Sequence, residues 1–365
     1  MIKIATVFSG IGAPEEALRQ MKVDFETVFA CDNGERELKK SYEEIIEDTK
    51  DFSYEDRIDY VNKLYEETNK INYVKNSYLA NHDISNGEWY EDVRFIDGNR
   101  YQDQVDILIG GSPCQSFSTY GKKQGFEDTR GTLFFHYANL IKNMKPKAFI
   151  YENVIGLKSH DSGNTWKRIQ EVFKDLEYDT HVFELNAMNY GLPQNRLRIF
   201  VVGFRKDLNI TEFSAPKEKK LTKTASSYLS ANIDVKYYLG QKGFEWATTP
   251  AKHQGRTRVN RDVIGCQTAN QQFNWTGDLR LETPTEEHRN NPNIYIGIYD
   301  GEEKVARKMT PKECLRLMGF KKFKIVVDDK NMYRQSGNSI AVPVLQALFE
   351  KILEVTNNFN ENNEQ

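Results

Sequence analysis

The chain has 365 residues, 39% of them hydrophobic and 12% aromatic, enough for about two domains with a buried core, which excludes wholesale disorder. Fifty Lys and Arg stand against 53 Asp and Glu, a net charge of −3, so nothing draws the whole molecule to a polyanion and any nucleic-acid contact needs a local basic stripe. No apolar run approaches the ~20 residues that span a bilayer, so no membrane contact is expected.

Ile2–Phe8 reads as a strand rather than a secretory leader, which predicts a cytoplasmic protein. It ends in Ser9-Gly10-Ile11-Gly12, and a helix follows from Pro14 to Met21 with proline in its first turn. Thr27–Cys31 is a second strand. Residues from about 35 to 80 are charged, Tyr-rich and helical in pattern, longer than a crossover requires. They read as an inserted helical pair on the surface, or alternatively as an arm that grips a partner or DNA. Val105–Ile109 is a strand closing on Gly110-Gly111, and Ala148–Tyr151 and Arg198–Phe204 are others, with helices at Leu133–Met144 and Thr165–Leu176. This alternation predicts an α/β fold, a mostly parallel Rossmann-like sheet with helices on both faces, whose ligands sit beyond the carboxyl ends of the strands. After Phe204 the alternation stops. Residues 206–305 hold short β-like pieces, many Asn, Gln, Thr and Gly, and the anchors Phe244, Trp246, Phe273 and Trp275, which predicts a smaller, irregular second domain. A helix returns at Thr310–Met318 behind a capping box. A last helix runs from Val342 to about Val355, and 357–365 is a polar tail expected to be disordered.

The Phe8–Gly12 turn sits between strand and helix, where a nucleotide-binding turn belongs. The dinucleotide fingerprint needs a third glycine where this chain has Glu15, an acid of the wrong sign to face a pyrophosphate at a helix N-terminus. A cofactor without phosphates fits better. Asp32, with Asn33 after it, ends the second strand and suits ribose hydroxyls, and Asp83-Ile84 offers a carboxylate and an apolar wall for an adenine. Together they point to S-adenosylmethionine, although the G-x-G alone also reads as a tight structural turn.

The four cysteines, Cys31, Cys114, Cys266 and Cys314, form no C-x-x-C pair, and the six His residues do not cluster with them, so neither a disulfide framework nor a metal site is expected. Cys114 differs from the others. It lies in Gly110-Gly111-Ser112-Pro113-Cys114-Gln115-Ser116-Phe117-Ser118, among glycines and polar residues at a strand's carboxyl end, where a nucleophile is favoured over a small core hydrophobe. Glu152 ends the neighbouring strand and suggests acid chemistry beside it. Arg196 and Arg198, two apart in a strand, read either as a solvated edge or as a clamp on an anion or carbonyl.

These motifs resemble the cytosine-C5 DNA methyltransferases of the bacterial HhaI type. They run in the family's order: F-S-G-I-G at 8–12, G-G-S-P-C-Q-S-F-S at 110–118, R-G-T-L-F-F at 130–135, E-N-V at 152–154 and Q-N-R-L-R at 194–198. R-K-M-T-P-K-E-C-L-R-L-M-G-F at 307–320 and Q-S-G-N-S-I-A-V-P-V at 335–344 complete the set. The likeness spans the chain except for 35–80 and 206–305. It implies a methyltransferase sheet formed by 1–205 and 306–356, with a target-recognition domain at 206–305. It implies that the Cys114 thiolate adds to cytosine C6, that Glu152 protonates N3, and that Arg198 holds O2 and orients Glu152, with Arg196 supporting the site and a nearby phosphate. The cytosine must leave the duplex for this. Residues 116–132 resemble the family's closing loop, with Gln115, Ser118, Lys122, Lys123 and Arg130 on the DNA. Phe8, Ser9, Gly10, Ile11, Gly12, Asp32, Asn33, Asp83, Ile84, Pro113, Leu133, Asn338 and Ser339 are implied for the cofactor; the family often has Glu at the place of Asp32.

In the recognition lobe, Lys252, Arg256, Arg258 and Arg261 make a basic stripe without an acid between them, suited to phosphates. The amides of 267–272 suit base edges, and Gln267, Thr268 and Gln194 are taken as DNA contacts. The expected partner is double-stranded DNA met by a monomer, with a restriction endonuclease as functional counterpart, or a mobile element as carrier. Three alternatives stay open: an RNA cytosine methylase, although the long lobe and Cys266-Gln267-Thr268 favour DNA; a DNA-binding regulator without catalysis; and a nicotinamide oxidoreductase, which the missing third glycine disfavours.

Overall fold

A computed structural model of the chain describes residues 1–84, 87–113 and 133–363, with backbone alone at Asn274 and at 357–363. The expectations placed on Cys114, Gln115, Ser118, Lys122, Lys123 and Arg130 therefore lie outside the described residues. Packing divides the chain into two compact units.

The first unit comprises Met1–Leu185, Leu197–Lys217 and Leu345–Gln365. In chain order it holds β1 (Ile2–Val7), α1 (Ala13–Met21), β2 (Phe25–Cys31), α2 (Tyr42–Asp48), α3 (Tyr54–Glu67), α4 (Tyr73–Leu79) and β3 (Glu88–Tyr90). It continues with β4 (Ile107–Gly110), α5 (Leu133–Met144), β5 (Ala148–Val154), α6 (Asn164–Lys174), β6 (Tyr178–Asn186) and β7 (Leu197–Arg205). The sheet order is β3-β2-β1-β4-β5-β7-β6. The pairs β1–β2, β2–β3, β1–β4 and β4–β5 are parallel, and β5–β7 is antiparallel. The central strands are apolar on both faces, as strands covered on two sides must be. Ala5, Val7, Phe29, Leu108, Phe149 and Tyr151 pack with Phe134, Tyr137 and Ile141 of α5 and Phe173 of α6, while Ile4, Ile107, Ile109 and Ile150 are buried on the other face. The region from 35 to 80 carries three helices rather than a pair. Ser41, Ser53 and Asn72 cap their starts, and Ile45, Val61 and Tyr65 close a small core with Phe95.

The second unit comprises Asn186–Arg196 and Glu218–Val344. It contains α7 (Gln241–Thr248), α8 (Pro250–His253), β8 (Thr257–Val259), β9 (Gly277–Glu282), α9 (Glu286–Asn290), β10 (Ile296–Tyr299), β11 (Glu302–Arg307), α10 (Pro311–Arg316) and α11 (Asp329–Asn338). Its sheet runs β10-β11-β9-β8. The units divide at other points than 205 and 306, and within the second unit Arg307 ties β11 to its surroundings. It is fully buried, 2.5 Å from Glu282 of β9 and 2.9 Å from Glu313 of α10. The capping box at Thr310 is formed, with Glu313 as its returning carboxylate. Helix α12 (Val342–Asn363) passes from the second unit into the first and continues eight residues beyond Val355, through most of the stretch read as a tail. Among the described residues no helix is long and apolar enough to cross a membrane.

Candidate active site

Parallel strands end together, and the register fixes which residues share the carboxyl edge of the first unit. Val7 pairs with Cys31 and with Gly110, Cys31 with Tyr90, and Gly110 with Tyr151. The antiparallel β7 begins at the same edge, Arg198 opposite Val154. The residues just past this line are Phe8, Asp32, Glu91, Gly111 and Glu152. Four of these five belong to motifs that the sequence singled out.

The turn after β1 is left-handed at Phe8 (φ 54°), Gly10 (φ 55°) and Gly12 (φ 77°). A bulky aromatic in that region is strained, and the surrounding bonds must hold it. Ser9 is turned inward: its hydroxyl donates to the carbonyls of Thr6 and Cys31 and accepts from the Cys31 N–H. Ile11 is likewise buried, 1% exposed. These two side chains build the turn rather than face a ligand. Gly10, by contrast, meets none of the described residues where a Cβ would project. The Gly10 N–H is held by Asp32 Oδ2 at 3.0 Å, and Asp32 Oδ1 accepts from the Gly34 N–H at 2.8 Å. Burial pushes the Asp32 carboxyl above its ordinary pKa, against the pull of those two N–H groups. Asn33 shapes the same turn, accepting from the Glu35 N–H and donating to the Arg36 carbonyl.

Glu15 does not face the turn's outer side. It is 1% exposed, and its Oε1 accepts from the Tyr78 hydroxyl at 2.6 Å and from Thr6 at 3.2 Å. With Glu16 also buried in the first turn of α1, two carboxylates already answer the positive end of the helix, which leaves little there for a phosphate.

The second half of the edge is a hydrogen-bonded block. Glu152 and Arg198 lie on neighbouring strands, with Oε1 3.3 Å from Nε and both side chains about one-seventh exposed, at 14% and 15%. Arg198 also donates to the Leu197 carbonyl. Asn153 is buried, and its amide donates to the Ser112 carbonyl at 2.9 Å and to the Tyr151 hydroxyl at 2.8 Å; that hydroxyl is 2.9 Å from Ser112 Oγ. Gly111 packs so closely on Glu152 that a Cβ there would meet its carbonyl at 2.6 Å and Oε2 at 3.2 Å. The chain that leads to Pro113 and Cys114 is therefore fastened to the strand that carries the acid. Asn153, Tyr151 and Ser112 are positioning residues, a role that their place in the sequence motifs does not by itself reveal. Pro113 is exposed, and Leu133, at the start of α5, is half-buried against the core.

The structure corrects several placements. Asp83 and Ile84 precede β3 in the chain, directly after His82, whose Nε2 lies 3.0 Å from the Ile11 carbonyl of the turn after β1, whereas the residues that follow the carboxyl end of β3 are Glu91, Asp92 and Val93. β3 has three residues, Glu88-Trp89-Tyr90, too short and polar to show as an apolar run. Arg196 is 2% exposed and belongs to the second unit, where it donates to the carbonyls of Gln267 (2.8 Å), Gly337 (3.1 Å) and Ser339 (2.6 Å). Sealed among carbonyls, it is a structural clamp and has no surface to offer a phosphate. Asn338 is exposed at the end of α11, and Ser339, which follows, is buried.

The recognition residues sort in the same way. Gln194 is fully buried; its amide donates to the Leu317 carbonyl and accepts from the Gln267 N–H. Gln267 donates to the Cys314 carbonyl, Gln271 to Tyr333 and Ser336, and Gln272 to the Asp278 carbonyl, all three being buried. These amides hold loops in place and are not base readers. Arg261 makes a two-pronged ion pair with Asp278 at 2.7 and 2.9 Å, an acid outside the basic stripe that cancels its charge. Arg256, Arg258 and Thr268 remain exposed. Arg256 lies over the Trp246 ring, 5.7 Å from its centre, and with Thr268 lines a cleft of about 270 Å³.

The fold and this edge define a class: an enzyme on a seven-stranded, parallel-rich sheet with one antiparallel strand, a glycine turn after β1 and an acid–arginine pair across β5 and β7. The chain belongs to the C-5 cytosine-specific DNA methylases, whose family pattern matches residues 62–354, and it is a DNA (cytosine-5) methyltransferase. It is 40% identical over 274 residues to the type II methyltransferase M1.ScrFI of Lactococcus lactis subsp. cremoris, covering 73% of this chain and 67% of that one. It is 34% identical over 243 residues to M.HhaI of Haemophilus parahaemolyticus, covering 66% and 73%. Among solved structures it is similar to a DNMT2 of Spodoptera frugiperda, with a TM-score of 0.68 at 20% identity over 97% of this chain and 100% of that one. At that identity the likeness is one of fold.

Proposed function

We propose that the protein methylates C5 of a cytosine turned out of a specific duplex sequence, with Cys114 as nucleophile and Glu152 as acid. The observation that carries this reading is the Glu152–Arg198 pair, 3.3 Å apart at the sheet edge, against the strand end that runs into Pro113-Cys114. Addition of the Cys114 sulfur to C6 breaks the ring's aromaticity and puts electron density on N3 and O2. Glu152 gives N3 a proton, and Arg198 steadies both the carboxyl and the charge at O2. When C5 later loses its proton to a base or water, the C6–S bond breaks, the C5=C6 double bond returns, and Cys114 is regenerated. Unstacking the base costs a few kcal/mol, which the 116–132 loop with Lys122, Lys123 and Arg130, and contacts from Gln115 and Ser118, would offset.

The first half of the edge fits S-adenosylmethionine, which when bound supplies the electrophilic methyl group. No described residue fills the place of a Cβ at Gly10, Asp32 offers a carboxylate to ribose hydroxyls, and the acids buried in the first turn of α1 disfavour a phosphate-bearing alternative. Asp83-Ile84, and Asp92 and Val93 beyond β3, are the proposed carboxylates and apolar walls for an adenine. Pro113, Leu133, Asn338 and Ser339 complete the proposed set. We assign 1–205 with 306–356 to catalysis and 206–305 to target recognition, in a monomeric cytoplasmic enzyme protecting DNA against a cognate restriction endonuclease or on a mobile element.

The test supplies tritiated methyl donor with duplex DNA and, separately, with transfer RNA, for the native chain and Cys114→Ser. Label recovered as 5-methylcytosine in DNA by the native chain alone supports the reading. Label in RNA, or an active Cys114→Ser protein, overturns it.

A further inference from the structure

The helices between β2 and β3 have no part in the chemistry above, yet their polar contacts converge on the cofactor edge. Asn72, the cap of α4, donates from Nδ2 to the Asp32 carbonyl at 2.8 Å and to Glu91 Oε2 at 2.8 Å, while its Oδ1 accepts from the Lys75 N–H at 2.9 Å. It is 7% exposed. Gly34 packs against the Asn72 side chain so closely that any Cβ there would collide with the amide. Glu91, first past β3, receives Asn72, Lys75 Nζ at 2.9 Å and the Arg36 guanidinium. Arg36 in turn donates to the Asn33 carbonyl at 2.8 Å and lies over the Tyr65 ring, 4.7 Å from its centre. The Tyr65 hydroxyl donates to Asp92 at 2.8 Å. Tyr65, Asn72 and Lys75 thus grasp, from one side, the turn after β2 and both carboxylates after β3.

We infer that Asn72 is a positioning residue for cofactor binding, and that the helical segment braces the cofactor edge rather than decorating the surface. The inference rests on the reading of Asp32 as a cofactor contact. Asp32 holds Gly10 and Gly34 with its carboxylate, so its carbonyl and the packing surface at Gly34 are the handles by which the turn can be fixed from behind: Asn72 bonds the carbonyl and packs against Gly34. Without that amide, the Asp32 carboxylate is free to drift from the position that meets the ribose, and small displacements of a positioning shell are costly.

Asn72→Ser keeps an oxygen able to cap α4 and removes the amide donor; Asn72→Asp does the same by a different route and serves if the serine protein is unstable. Binding of S-adenosylhomocysteine to the full chain is measured by calorimetry, and amide hydrogen exchange is followed at Gly10 and Gly34 in protein without ligand. The expected result is about tenfold weaker binding, the scale of one or two buried hydrogen bonds, with faster exchange at Gly34. The KM for the methyl donor rises while kcat and the KM for DNA stay within about twofold, because the acid and the nucleophile are untouched. Arg57→Ala, which removes bonds to Thr49 within the same helical segment, serves as the control and should bind normally. Asp32→Ala separates the two levels of the argument. If it binds S-adenosylhomocysteine as well as the native chain, the cofactor assignment itself fails. If it binds poorly while both Asn72 variants bind normally, or if Arg57→Ala weakens binding as much as they do, the brace is refuted.

Discussion

Arg196 offers a clean division between a structural arginine and the one two residues on, Arg198, for which a catalytic role is proposed. Its guanidinium is 2% exposed and donates to three main-chain carbonyls in the second unit, at 2.6, 2.8 and 3.1 Å. Hydrogen bonds to charged groups contribute about 1.5–3 kcal/mol each, and an acceptor left bare in the interior adds its own desolvation cost. Such terms are not additive around one side chain, so a loss of about 4 kcal/mol is the reasonable sum for Arg196→Met, which keeps the length and removes the donors. In a unit of this size each kcal/mol lowers the melting temperature by about 2–4 °C, which gives a drop of roughly 8–16 °C. Scanning calorimetry, with tryptophan fluorescence to follow Trp246 and Trp275 of the second unit, reads this directly. A variant that melts within about 2 °C of the native chain while kcat falls by orders of magnitude would refute the reasoning and return Arg196 to the chemistry.

Glu152→Gln keeps the shape of the acid and removes its proton, so kcat should fall by about 10²–10⁴-fold with DNA affinity preserved, as single-turnover kinetics and gel shifts would show. Burial lowers the His136 pKa to about 4; the native protein therefore refuses a proton that the unfolded chain takes up from about pH 6.5 downward. Stability is full above that pH and declines as pH falls toward 4, by about 2 kcal/mol at pH 5; urea midpoints at pH 7 and 5 should show the decline in the native chain and much less of it in His136→Gln. In the second unit, Arg256→Ala should weaken DNA binding and reduce the salt slope by about 1. Gln267→Ala should instead lower the melting temperature and leave the slope alone.

What the sequence made legible follows from how each feature is written in it. The central strands of the sheet carry dense apolar runs, and β1 and β4 are followed by or end in glycines, so β1, β4 and β5 could be read within a residue or three. β3 has only Glu88-Trp89-Tyr90 and takes its place through pairing with β2, so no apolar run marks it and the acids just past its end, Glu91 and Asp92, do not stand out in the sequence. Charge signs were legible, but charge partners were not. Arg261 lies in a stretch without acids, and its partner Asp278 is 17 residues away in sequence on β9. The run of amides at 267–272 has the composition of a base-reading surface, yet burial of Gln267, Gln271 and Gln272 turns it into scaffolding. Composition gives the chemistry a side chain can do; only packing decides whether anything outside the protein can reach it.

The most direct measurement of the central claim uses duplex DNA carrying 5-fluorocytosine at the target position, together with the methyl donor. Fluorine in place of the C5 proton blocks its removal, so the sulfur cannot leave. The account predicts a denaturation-resistant protein–DNA adduct whose peptide maps to Cys114 and which is absent from Cys114→Ser. An adduct mapping to Cys31, Cys266 or Cys314, or turnover of the fluorinated strand with no adduct, would contradict it.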